Sequence, residues 1–130
     1  MKFSGLDHIT VNVKDLEQSE KFYGDLLGLE KTGFIDMGDH TLTYFRLPRE
    51  VRLELIDYAD KAAAGGIKET DTGIYRHFCL VTDQLAELHA LCVKQGIFVR
   101  KSPSYVEKLQ ARTMLITDPN GVEIEIIQRG

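Results

Sequence analysis

The segment 53–56 reads Leu-Glu-Leu-Ile, and 71 residues further along the chain the segment 124–127 reads Ile-Glu-Ile-Ile. In each segment a glutamate stands between two large aliphatic residues. Successive side chains of a β-strand point to opposite faces, so the aliphatic neighbours pack one face and the glutamate points to the other. Two strands with this shared pattern indicate a structural unit that occurs twice in the chain.

Other landmarks repeat in the same order at a nearly constant spacing of 68 or 69 residues. They are His8 and His77, Asp15 and Asp83, and Gly28 and Gly96. In each half a strand carries the histidine, and a helix follows that we expect to begin after the aspartate as its N-cap. The glycine is expected to end the helix in the left-handed conformation. Any single match has an ordinary explanation, whereas several matches in order favour a true repeat.

The predicted elements follow from periodicity and from turn residues. The segment 6–13 alternates, with Ile9, Val11 and Val13 on one face and His8, Thr10 and Asn12 on the other. After the first helix we predict strands near 29–37, 41–47 and 51–57. The second half is predicted to have a strand at 76–81 and, after its helix, strands near 97–101, 111–117 and 122–128. Gly38-Asp39 and Asp118-Pro119-Asn120-Gly121 are the predicted turns.

These patterns predict an α+β fold of two βαβββ modules that form a curved mixed-sheet trough. One domain is expected to span residues 1–130, with module 1 at 5–57 and module 2 at 74–128. The linker is predicted at 58–73, where small residues such as alanine and glycine are frequent. A sheet that covers one face with helices and curves the other offers a concave binding site.

Composition excludes several classes of protein. A chain of 130 residues with 43% hydrophobic residues is sufficient for one core, and its net charge of -4 argues against a nucleic-acid or anionic membrane surface. No apolar run reaches the roughly 18 residues of a membrane span, and no signal peptide is expected in the first residues. Cys79 and Cys92 form no CxxC pair, so packed thiols in the cytoplasm are expected.

The repeat predicts that four side chains converge on the trough: His8, Glu54, His77 and Glu125. Imidazole and carboxylate ligands suit first-row divalent ions. Two neutral imidazoles and two carboxylates would balance the charge of such an ion. Four protein ligands on an octahedral ion would leave two positions for neighbouring oxygens of one substrate. The structural alternative is a pair of surface glutamates with two hydrogen-bonded histidines.

Two motifs resemble the vicinal-oxygen-chelate superfamily, together with the paired modules. One is Phe22-Tyr23 followed by Leu27-Gly28-Leu29, and the other is the ending 118–125, which begins Asp-Pro-Asn-Gly and closes on Glu125. The superfamily includes glyoxalase I, methylmalonyl-CoA epimerase, extradiol dioxygenases, and fosfomycin and bleomycin resistance proteins. The resemblance covers the whole chain and is more specific for the superfamily than for a substrate.

The resemblance implies metal ligands at His8, Glu54, His77 and Glu125, in an order similar to that of bacterial glyoxalase I. It implies one nickel, cobalt, zinc or manganese ion per site, a homodimer and a small-molecule substrate. We expect a lactoylglutathione lyase-like isomerase or lyase that acts through a metal-chelated enediolate. Glu125 is the predicted general base, with Glu54 able to receive or return the proton.

The substrate stays open at this point. Glutathione-dependent members carry an arginine and an asparagine where this chain has Asn12 and Tyr58, so a thiol adduct, a hydroxy ketone or a small acid derivative are all considered. By alternation, the substrate-pocket candidates are Asn12, Thr10, Arg52 and Cys79, each of which could instead line the trough without touching substrate. The alternatives are an epimerase of the methylmalonyl-CoA type and a non-catalytic drug-binding protein, which an intact ligand set disfavours.

Overall fold

Residues 1–2, 4–62, 68, 70–73 and 75–130 are described by a computed structural model of the chain. The chain separates into two units, Met1–Ala63 and Ala64–Gly130. Each unit contains one β-strand, a helical segment and three further strands in that order. Most of the alanine- and glycine-rich part of the predicted linker lies outside the described residues.

The first unit holds a four-stranded mixed sheet. Its elements are β1 (His8–Asn12), α1 (Leu16–Glu20), β2 (Lys31–Asp36), β3 (His40–Arg46) and β4 (Arg52–Tyr58). The strand order is β1-β4-β3-β2, with β1 parallel to β4 and the other neighbours antiparallel. The parallel pair requires the long connection through the helix, and it places the first strand of the module beside the last.

The first helix begins and ends where the sequence predicts. The Asp15 carboxylate accepts a hydrogen bond from the backbone N–H of Gln18 at 3.1 Å, which satisfies one of the free donors of the first turn. Gly28 adopts a φ of 71° after the last turn, a conformation that a side chain would strain. The sequence did not predict that α1 continues as a π-helical segment over Lys21–Leu26.

The second unit repeats this arrangement. Its elements are β5 (Phe78–Val81), α2 (Leu85–Lys94), β6 (Val99–Val106), β7 (Ala111–Thr117) and β8 (Glu123–Arg129). The strand order is β5-β8-β7-β6, again with the first and last strands parallel. In the part of the chain that the structure describes, no helix has the length and apolar character needed to cross a membrane.

The prediction that Asp83 caps the second helix is wrong. Gln84 is the residue that precedes α2, and its own side chain makes no capping hydrogen bond. The Thr82 hydroxyl accepts from the Gln84 N–H at 3.0 Å, and the Gln128 amide oxygen of β8 accepts from the Leu85 N–H at 3.0 Å. A cap from a neighbouring strand cannot be found from local spacing. The predicted helix end at Gly96 is confirmed by its φ of 69°.

The alternation that predicted the strands is confirmed in both sheets. Leu53 and Leu55 are fully buried on one face of β4, and Ile124 and Ile126 are their counterparts on β8. These aliphatic side chains form the core side of each sheet. The chain therefore has the predicted α+β fold of two βαβββ modules, and the glutamates lie on the opposite faces of the strands.

Candidate metal centre

Glu54 lies in the middle of β4, and hydroxyl groups from both neighbouring strands hold its carboxylate. Thr10 of β1 and Tyr44 of β3 are its register partners. The Thr10 hydroxyl donates to Oε1 at 3.0 Å, and the Tyr44 hydroxyl donates to Oε2 at 2.5 Å. The hydrogen bond to Glu54 and burial raise the pKa of Tyr44. Because the Glu54 side chain is only 9% exposed, the alternative of a surface glutamate does not hold here.

Asp7 orients the His8 imidazole. Its Oδ2 atom lies 2.7 Å from His8 Nδ1 and accepts from Arg52 Nη2 at 2.8 Å. The hydrogen bond with His8, followed by the interactions with Arg52, lowers the pKa of Asp7. An ionised carboxylate has no proton to donate, so His8 Nδ1 must be the donor. The imidazole therefore presents Nε2 on its other side.

The two side chains of this first pair stand at a separation suited to one shared ion. His8 Nε2 and Glu54 Oε1 are 3.8 Å apart, too far for a hydrogen bond. Two donors bound to one ion at about 2.1 Å lie about 3.0–3.4 Å apart at octahedral or tetrahedral angles. From 3.8 Å, the pair would need to close by about 0.4–0.8 Å to reach this range. The donor set and the free Nε2 atom therefore fit a first-row divalent metal.

The second unit contains an equivalent pair, in which Glu125 lies on the interior strand β8. His77 Nε2 lies 3.6 Å from Glu125 Oε2, and the Cys79 thiol donates to Glu125 Oε1 at 3.3 Å. Although Cys79 as a whole is exposed, partial desolvation of its thiol, followed by the hydrogen bond to Glu125, raises its pKa to about 12. Leu115 is the register partner on the other side of Glu125. Here a weakly donating thiol and an aliphatic residue occupy the positions that Thr10 and Tyr44 hold in the first unit.

The ion pair beside the second histidine has the opposite polarity to the first. Arg76, which precedes His77, pairs with Glu123, and Glu123 also accepts from Arg100 Nε at 2.8 Å. The residue before His77 is therefore a cation, whereas the residue before His8 is the carboxylate Asp7. The Nδ1 atom of His77 is buried and has no hydrogen-bond partner among the described residues.

The sequence-predicted residues form two His–Glu pairs, one in each unit. Among the described residues, no group of three or more histidine, cysteine or carboxylate side chains has an arrangement that could hold a metal ion. Of the substrate-pocket candidates, Thr10 and Cys79 contact the two glutamates, and Arg52 contacts Asp7. Asn12 is exposed at the end of β1.

Three further residues near the two pairs were not predicted from the sequence. Tyr44 could have been found by aligning β3 with β4, because it is the partner of Glu54 in that register. Asp7 stands directly before a predicted ligand, and its role depends on Arg52 across the parallel pair of strands. The role of Arg76 could not be predicted from its position alone, because it depends on the exchange of acid and base between the ion pairs of the two modules.

Comparisons with known proteins agree with this arrangement of paired modules. Mitochondrial methylmalonyl-CoA epimerase of Mus musculus is 26% identical over 88 residues, which are 65% of this chain and 49% of that protein. The chain thus spans about half the length of this curated relative. A glyoxylase/bleomycin resistance protein/dioxygenase domain from Frankia sp. EAN1pec has a TM-score of 0.81 at 17% identity, covering 99% of this chain and 100% of that one.

A glyoxalase I mutant from Zea mays has a TM-score of 0.78 at 22% identity and covers 96% of this chain but 44% of that one. At these identities the two solved structures show a shared fold. The family model for the Glyoxalase/Bleomycin resistance protein/Dioxygenase superfamily matches residues 5–126. The match includes both modules and all four predicted ligands. The chain therefore belongs to the Glyoxalase/Bleomycin resistance protein/Dioxygenase superfamily.

Proposed function

We propose that the chain is a divalent-metal-dependent isomerase or lyase of the glyoxalase I type, acting on a small substrate with two neighbouring oxygens. The observation that carries this proposal is the His–Glu pair that recurs at the same place in both modules, with separations of 3.8 and 3.6 Å. The family name covers resistance proteins as well as enzymes. A protein that only sequesters a drug has no need of two such pairs, so the pairs favour an enzyme.

The proposed ligands of one metal ion are His8, Glu54, His77 and Glu125. Two imidazoles and two carboxylates balance a divalent charge and suit nickel, cobalt, zinc or manganese. The ion, when bound, would stabilise negative charge that develops on two neighbouring substrate oxygens. The two pairs would meet either in one chain or between two copies of it.

The two glutamates are proposed to have different roles. Both oxygens of Glu54 already accept hydroxyl hydrogen bonds, and its side chain is 9% exposed. Among the residues that the structure describes, the thiol of Cys79 is the only side-chain hydrogen-bond donor to Glu125, whose side chain is 25% exposed. Glu125 is therefore better placed to take a proton from a substrate carbon, while Glu54 serves mainly as an anchored ligand that can assist the transfer.

The substrate would bind over the same sheet faces as the ligands. Arg52 keeps 42% of its side chain exposed while it pairs with Asp7, so it can also meet an anionic substrate group. Asn12 is exposed on the same face of β1 as His8, whereas Thr10 and Cys79 would act through the glutamates they contact. A lactoylglutathione lyase-like reaction is one form of this chemistry, and a different thiol adduct, hydroxy ketone or acid derivative would serve equally.

An epimerase is the second candidate, because the mouse epimerase is similar over 65% of this chain. Both reactions remove a proton from a carbon beside an oxygen, so solvent exchange detects either. The metal-loaded protein should be incubated in deuterated water with methylmalonyl-CoA and, separately, with the adducts of methylglyoxal and glutathione or other thiols. Incorporation of deuterium into a substrate or product would support an enzymatic function. The identity of the labelled compound would distinguish between the two candidates. Tight binding without exchange across such a panel would support a ligand-binding protein instead.

The proposed setting is a cytoplasmic homodimer that acts on small molecules and binds neither nucleic acid nor membranes. Cys79 and Cys92 are both free thiols, as expected in a reducing compartment. The net charge of -4 provides no general attraction for a polyanion. Edge strand β2 exposes Phe34 and Ile35, which a second copy could cover.

A further inference from the structure

An ion pair stands beside the histidine in each module, with its charges reversed between the two. In the first module the acid, Asp7, precedes the histidine, and the base, Arg52, lies two positions before the glutamate. In the second module the base, Arg76, precedes the histidine, and the acid, Glu123, lies two positions before the glutamate. Both modules therefore have an ion pair at this place, but the positions of the acid and the base are exchanged.

This reversal changes what faces the Nδ1 atom of each histidine. An ionised carboxylate lies 2.7 Å from His8 Nδ1. Because this carboxylate can only accept a hydrogen bond, Nδ1 must carry the proton. His77 Nδ1 is buried without a hydrogen-bond partner among the described residues, because the residue at the equivalent position is a cation. The tautomer of a histidine that binds metal is set by the hydrogen bond of its other nitrogen.

We propose that Asp7 and Arg52 are positioning residues that fix His8 as the Nδ1–H tautomer and keep Nε2 available toward Glu54. Among the described residues, no carboxylate fixes the tautomer of His77 in this way, so His77 can adopt either tautomer. Arg52 takes part in both supports of the first pair, since it holds Asp7 at 2.8 Å and its guanidinium lies 4.3 Å from the centre of the Tyr44 ring. This inference deepens the proposed function and rests on it only for the identity of the ion.

A swap of the two charges tests the inference while conserving the ion pair and the net charge. The variant Asp7→Arg/Arg52→Glu gives module 1 the polarity of module 2. The matched control is Glu17→Lys/Lys21→Glu, which reverses an exposed pair on the first helix. Long-range proton–nitrogen NMR of the metal-free proteins at pH 8, above the ordinary titration range of imidazole, reports the tautomer of each histidine. Titration with Zn²⁺ and with Ni²⁺ then reports metal affinity.

We expect His8 to be the Nδ1–H tautomer in the wild type and in the control, and to lose this preference in the swapped variant. Metal affinity should fall by about 10–100-fold in that variant alone. Asp7→Ala serves as a second variant should the swap prevent folding, and it should have the same effects. An unchanged His8 tautomer in the folded variant would overturn the inference even if the protein binds metal. A tautomer that changes in a protein without metal affinity would instead overturn the proposed function and leave the positioning role standing.

Discussion

Tyr44 donates a 2.5 Å hydrogen bond from β3 to the buried carboxylate of Glu54 on β4. At the equivalent place in the second module, Leu115 faces Glu125. Glu54 thus accepts a hydrogen bond from a tyrosine hydroxyl that has no counterpart at Glu125, although the surrounding strands repeat closely. This difference distinguishes Glu54, the proposed anchored ligand, from Glu125, the proposed proton-transfer base, and it leads to the first two predictions.

Tyr44→Phe should destabilise the fold and loosen the first half of the proposed metal site. Removing the hydroxyl leaves a buried carboxylate oxygen short of a donor, which costs about 1–3 kcal/mol. Urea unfolding should show the loss, and Ni²⁺ titration should show weaker binding. Tyr105→Phe is the control, because Tyr105 is 58% exposed and the loss of its hydroxyl should make little difference. Equal unfolding midpoints for Tyr44→Phe and the wild type would refute the anchoring role.

Glu125→Gln should slow turnover more than Glu54→Gln does. The amide keeps a coordinating oxygen but removes the base, so proton transfer should slow by roughly 10²–10⁴-fold while metal is retained. Turnover, metal content and solvent deuterium exchange should be measured for both variants. Similar losses in the two variants would indicate proton transfer through both glutamates, as in an epimerase. Glu125→Gln that exchanges the substrate proton at the wild-type rate would make Glu125 a ligand only.

Cys79 should be a slow thiol nucleophile in the metal-free protein. Cys79 is exposed as a residue, but partial desolvation of the thiol and the Glu125 carboxylate raise its pKa to about 12, so the neutral thiol predominates at every pH below that value. Since the thiolate is the reactive form, alkylation by iodoacetamide should rise about tenfold per pH unit from pH 7 to 10 without levelling off. Mass spectrometry of the peptide that contains Cys79 gives the rate. A plateau near pH 9 would show an ordinary thiol that Glu125 and burial do not influence.

Self-association should involve the edge strand β2. Phe34, Ile35 and Met37 are each about half exposed at this edge, and an apolar edge strand readily pairs with another chain. Light scattering at tens of micromolar should give the mass of a dimer, and Phe34→Glu should shift it toward the monomer. Val93→Glu, on the exposed face of α2, is the control. A wild-type protein that is monomeric at this concentration would exclude the predicted homodimer.

The repeat and the faces of its strands could be predicted from the sequence because they depend on local regularities. Alternation around Glu54 and Glu125 set their faces, and the cap at Asp15 and the stop at Gly28 followed from the conformations that such residues favour. These features need no knowledge of which strands become neighbours. The prediction of two modules therefore depended on hydrophobic periodicity and on the residues at the helix ends.

The contacts that distinguish the two pairs could not be predicted, because they depend on partners distant in sequence. Tyr44 reaches Glu54 only through the register of β3 and β4, and Arg52 reaches Asp7 only through the parallel pairing of β1 and β4. The cap of α2 comes from Gln128 on another strand. The π-helical segment follows from a hydrogen bond of Leu27 N–H to the Phe22 carbonyl, for which the sequence offers no marker.

Metal binding by single-histidine variants would show whether both modules contribute to one metal centre. Calorimetric titration of the metal-free protein with Ni²⁺ should be compared for the wild type, His8→Ala, His77→Ala and the control His89→Ala, whose histidine lies on α2. We expect one ion per chain in the wild type and the control, and at least tenfold weaker binding when either proposed ligand is removed. Absence of binding by the wild type, or full affinity in His77→Ala, would contradict a centre built from both modules.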